Sequence, residues 1–181
     1  MPNASRLDVA ADKLELLELG TAYCRAGDRR DVALMRTLYH PDAIDDHGAL
    51  FYGTGEEFIQ FLPGALTTFA ITTHHITNAL FHVDGDYAQG ESYLIAGHIT
   101  QESPPRNLIV SGRYLDKFER RDDVWRFSHR TAMLDWANLP VEDIVKLLPP
   151  RLDRAGAVGA PDHTDPSYSL LSMFGPRSPG D

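Results

Sequence analysis

The chain has 181 residues, a formal charge of -9 and one cysteine, Cys24; this length fits a single core that still leaves room for an internal pocket. The acidic balance, with a pI near 5.3, argues against a nucleic-acid or anionic-membrane surface, since both need concentrated Lys and Arg. A lone cysteine excludes an intrachain disulfide, and neither a secretory leader nor a spanning apolar run occurs, so a cytoplasmic protein with a small-molecule partner is expected.

From Leu7 to Gly27, the residues Leu16, Leu19, Tyr23 and Ala26 recur at helical spacing, with Asp12, Glu15 and Glu18 as the polar counterpart. Asp31 suits the N-cap of a second helix over Val32–Tyr39, which Pro41 ends. A short extended piece, Ala43–Asp46, precedes His47-Gly48. The run Gly53-Thr54-Gly55-Glu56-Glu57 opens a third helix through about Leu62, and Pro63-Gly64 should bend or interrupt it before Ala65–Phe69.

Four strands follow as a meander: Thr72–Val83, Tyr87–Thr100, Asn107–Glu119 and Val124–Trp136. Helices first and antiparallel strands afterwards predict an α+β fold. To cover the helices the sheet must curl, giving a cone-like α+β barrel with N-terminal helices packed in a curved, mainly antiparallel sheet. Residues 1–148 make this domain, with a short helix at Pro140–Leu148. Residues 149–181 read as an irregular tail rich in Pro, Gly, Asp and Ser. Within it, Tyr168, Leu170, Leu171, Met173 and Phe174 are too apolar for water and call for cover, from the cone mouth or a neighbouring subunit.

Strand alternation puts His74, Ile76, Asn78 and Leu80 on one face of the first long strand and His75, Thr77, Ala79 and Phe81 on the other. In the next strand His98 shares a small, apolar face with Ala88, Gly90, Ser92, Leu94 and Ala96. Trp125, Phe127 and His129 alternate as a core face, which sends Arg130 outward unless a bulge intervenes. The eight histidines include no helix-spaced ligand pair, and Asp45-Asp46-His47 is too local for a complete metal sphere. Neither metal nor cofactor is expected.

Several segments in order carry a family resemblance: Tyr23 to Asp31, Leu38-Tyr39-His40-Pro41-Asp42-Ala43, Thr73-His74-His75-Ile76-Thr77-Asn78, Asp84-Gly85-Asp86-Tyr87-Ala88, and Arg120 to Phe127. Together they resemble the scytalone dehydratase and lindane dehydrochlorinase branch of the SnoaL-like, nuclear transport factor 2-like superfamily. The resemblance implies an Asp-His pair, Asp28 and His74, as the catalytic groups. It implies Arg130 and His98 as further pocket residues, and a homo-oligomer, dimer or trimer, built through the outer sheet face.

The chain departs from that pattern in informative places. Tyr23 stands where the dehydrochlorinase has a lysine, which favours loss of water over loss of halide, because a tyrosine carries no positive charge at neutral pH. Gly27 and His47 lie where the dehydratase has tyrosines. The implied activity is a cofactor-independent dehydratase in which Asp28 orients His74 as base, with Tyr23, His47, His98 and Arg130 auxiliary. A ketosteroid-type isomerase or polyketide cyclase, and a non-catalytic carrier, are the alternatives.

Overall fold

The computed structural model describes residues 5–140, 143, 144, 147 and 155–174. Helix α1, Arg6–Arg29, opens on a capping box in which Ser5 and Asp8 satisfy each other's backbone N–H groups, and it ends at Arg30 in the left-handed region (φ 53°). Leu16, Tyr23, Cys24 and Ala26 are its buried face. Asp12, expected among the polar residues, is also buried, because it accepts hydrogen bonds from Trp125 Nε1 (2.9 Å) and Arg120 Nη1 (2.7 Å). Asp31 caps α2, Val32–Thr37, by accepting from the Leu34 N–H.

Strand β1, Tyr39–Asp46, begins earlier than alternation suggests. Tyr39 already pairs with Phe127, and Pro41, which has no N–H to offer a ladder, falls in the register shift between Tyr39 and Ile44. The short β2, Tyr52–Thr54, runs antiparallel to β1 and was not foreseen. Helix α3, Gly55–Ala65, continues through Pro63-Gly64 without interruption, held by the burial of Phe58, Ile59 and Ala65.

The long strands are β3 (Phe69–Asp84), β4 (Tyr87–Thr100), β5 (Asn107–Arg121) and β6 (Val124–Ala137). They form an antiparallel meander in a curved, unclosed sheet of order β2-β1-β6-β5-β4-β3, while β1 lies parallel to β6. A seventh strand, β7 (Ala157–Val158), pairs in parallel with Met133 and Leu134 of β6. The concave face receives α1 and α3, and the core between them includes Leu16, Tyr23, Phe58, Leu94, Phe118 and Phe127. At about 25 cal/mol per Å² of apolar surface removed from water, such burial is the main source of stability.

Two bulges change which residues face that core. In β3 the register shifts between Ile76 and Asn78. His74 and Ile76 therefore face inward, as do Ala79 and Phe81 beyond the extra residue, while Asn78 and Leu80 are exposed. In β6 the shift falls at Ser128, opposite Lys117 and Phe118. It carries Arg130 inward, where the side chain is 1 % exposed.

The tail crosses from one face of the sheet to the other. Ala155 to Val158 stand at the cavity, and Gly156 backs onto Gly48 so closely that a Cβ on Gly48 would lie 2.3 Å from the Gly156 Cα. Beyond β7, Asp165 is buried against Arg113 with bonds of 2.7 and 3.1 Å. Leu171, 1 % exposed, packs on Leu115 and Met133, and the Met173 N–H donates to Gln89. The apolar patch thus lies on the sheet face turned away from α1, not across the cavity, with Leu170 and Phe174 beside Leu171 and Tyr168 left exposed.

Candidate active site

A cavity of about 510 Å³ lies between the concave sheet and helices α1 and α3. Its walls are mostly apolar, including Phe58, Phe61, Phe69, Leu94, Val110 and Ala132, and the side chains of Tyr23, His47, His74, His98 and Tyr114 bring polar groups to them. A volume of this order suits a small organic molecule, and a few polar groups on an apolar wall give it orientation.

Asp28 sits on the last turn of α1, beside the strand that carries His74. One carboxylate oxygen accepts from His74 Nδ1 at 2.7 Å and the other from the His74 backbone N–H at 2.9 Å. With Nδ1–H committed to the carboxylate, Nε2 is the unprotonated, basic nitrogen of the neutral ring. Burial pushes the Asp28 carboxyl up, but the ring and backbone bonds and the charge of His74 outweigh it, holding the group below the usual carboxylate range. The carboxylate therefore stays charged where it can support an imidazolium. His75 points to the opposite, exposed side.

His98 stands edge-on to His74, ring centroids 5.4 Å apart, and tilts against Phe69 at 4.8 Å. Its buried Nδ1 finds no partner among the described residues. Burial, aided by the charge of His74, pushes its pKa down to about 4, so the ring is neutral at pH 7. Cys24 also borders the cavity, but burial raises its thiol to about 11, which leaves it protonated and inert.

Arg130 does not line the cavity; it forms the layer beneath it. Its guanidinium makes a two-pronged pair with Asp116, 2.8 Å on each arm, and lies over the rings of Tyr23, Tyr114 and Phe127 at 3.9, 4.0 and 4.1 Å. Burial alone would lower its pKa, but the Asp116 charge and hydrogen bonds raise it well above the ordinary value. It supports the Tyr23 ring from below.

His47 does line the cavity, stacked on Phe58 with centroids 4.7 Å apart. Its Nε2 is 3.4 Å from the Tyr23 hydroxyl, and its Nδ1 is 2.5 Å from Asp45, a carboxylate with no exposed surface. The sequence reading missed Asp45 as the partner of His47. Alternation along β1 was the available signal, since residues two apart in an extended chain share a face.

A model of the SnoaL-like domain matches residues 8–131. The chain belongs to the SnoaL-like domain family. No curated protein matches it by sequence. Among solved structures, a scytalone dehydratase-like protein from Novosphingobium aromaticivorans is similar at 19 % identity, over 84 % of this chain and 97 % of its own, with a TM-score of 0.70. Hexachlorocyclohexane dehydrochlorinase LinA-type3 from Novosphingobium barchaimii gives 19 %, 76 %, 95 % and 0.68, and the protein Kfla4162 from Kribbella flavida 21 %, 72 %, 95 % and 0.66. Likeness at this identity establishes the SnoaL-like cone as the fold and leaves the chemistry to the site. No helix among the described residues is long and apolar enough to cross a membrane, and no group of three or more His, Cys, Asp or Glu converges among them.

Proposed function

We propose that this protein is a cofactor-independent lyase that dehydrates a small cyclic or polyketide-like hydroxylated substrate. The observation that carries the reading is the Asp28–His74 pair on the cavity wall, with Nδ1 committed to the carboxylate and Nε2 making no hydrogen bond among the described residues. In this reading His74 Nε2 removes a proton from the carbon next to an electron-withdrawing group, and Asp28 stabilises the resulting imidazolium. His98, neutral beside it, contacts the substrate by hydrogen bonding. The apolar walls exclude water and strengthen these interactions.

The scytalone dehydratase-like protein and the dehydrochlorinase among the structural neighbours support a lyase on this fold, and Tyr23, a neutral group, favours hydroxyl over halide as the group lost. The deciding experiment is turnover of β-hydroxyketones by wild type and His74→Ala, with products read by mass. Loss of one water, abolished in the variant, is the expected result. A moved double bond at unchanged mass would establish an isomerase, and binding without turnover a carrier.

A further inference from the structure

We propose that Asp45 and His47 form a second acid–base pair in the same cavity, which delivers a proton to the departing hydroxyl while His74 takes the one on carbon. The inference rests on the lyase reading above and adds what that reading lacks. Hydroxide is a poor leaving group, so a base alone leaves half of a dehydration uncatalysed.

The geometry repeats the logic of the first pair on a different element. The buried Asp45 carboxylate is fixed by the Tyr39 hydroxyl, 2.6 Å from Oδ2, and its other oxygen holds His47 Nδ1. That contact supports the doubly protonated ring with which the scheme begins and directs its Nε2–H toward the Tyr23 hydroxyl oxygen. Stacking on Phe58 fixes the ring plane. His47, Tyr23 and His74 all border the one cavity, so a substrate there is flanked by two imidazoles, each with its own carboxylate.

The proton and electron balance closes without a co-reactant. The C–H pair becomes the new C=C bond as His74 Nε2 takes the proton. The C–O pair leaves on oxygen, which receives a proton from Nε2 of the His47 imidazolium, directly or through the Tyr23 hydroxyl, and departs as water. His74 ends protonated and His47 neutral, and exchange with solvent restores both. In this scheme His47 is a catalytic residue and Asp45 a positioning residue.

The test compares a β-hydroxycyclohexanone with its β-(para-nitrophenoxy) counterpart, whose leaving group needs no proton. For His47→Gln the expected loss in kcat on the hydroxyl probe is about 10²–10⁴-fold, with the aryloxide probe within about fivefold of wild type. Asp45→Asn should show the same dependence on leaving group, which a merely structural role would not produce; melting curves establish that each variant is folded. Equal losses on both probes, or none, would overturn the second pair and leave the lyase reading standing. Failure of wild type to eliminate from either probe would overturn both.

Discussion

His74 gives both its backbone N–H and its ring Nδ1–H to the single carboxylate of Asp28. Because the backbone bond fixes the strand and the ring bond fixes the side chain, the helix end and the imidazole are held as one unit. Asp28→Asn keeps the shape but loses the charge that supports an imidazolium. Turnover is expected to fall about 10²–10⁴-fold, while stability changes by no more than about 2 kcal/mol. Steady-state kinetics paired with urea melts measure the two. His75→Ala, on the exposed side, should change turnover less than about threefold.

The neutral state of His98 makes stability depend on pH in a stated direction. Its folded pKa, about 4, lies below the ordinary 6.5, so between these values the unfolded chain binds a proton that the folded chain refuses. Stability from this residue is full above pH 6.5 and is lost as pH falls toward 4, by roughly 3 kcal/mol in total. His98→Gln should flatten that part of the curve, as read from denaturant midpoints across the interval.

Arg130 is expected to behave as a structural residue. Arg130→Met strands the buried Asp116 carboxylate and should cost about 3–5 kcal/mol, visible as a lowered denaturant midpoint. The double replacement Arg130→Met with Asp116→Leu should recover much of that loss, because it removes both charges together.

The tail's anchor should release in acid. Burial raises the Asp165 carboxyl, but the bonds from Arg113, Ser167 and Ala160 outweigh it and hold the pKa well below the ordinary 3.8. Its contribution is therefore full above about pH 4 and is lost as pH falls through the depressed value. The amides of Ala160 and Ser167, which donate to Asp165, should exchange faster in that range. Asp165→Asn should bring the faster exchange to neutral pH.

Helical and alternating periods were enough to place α1, α2 and the four long strands, because burial on one side leaves a pattern in the residues. The bulges at Thr77 and Ser128 left none. One extra residue reverses every side chain beyond it, which moved Asn78 and Leu80 outward and Arg130 inward without any change in composition. Asp28 and His74 stood out through family resemblance, whereas Asp45 looked like one acid among several near His47. Its burial depends on Tyr39, six residues earlier, and on a strand that starts at Tyr39, a residue the helical spacing assigned to the second helix.

Ala155 to Val158 border the cavity, while Asp165 and Leu171 of the same segment grip the far side of the sheet. Occupancy inside and attachment outside are therefore linked equilibria. Any molecule whose binding needs Ala155 to Val158 in place binds the attached chain more tightly, and by reciprocity it strengthens the attachment by the same factor. The proton affinity of a carboxylate on the convex surface then enters the binding constant of a ligand on the concave one.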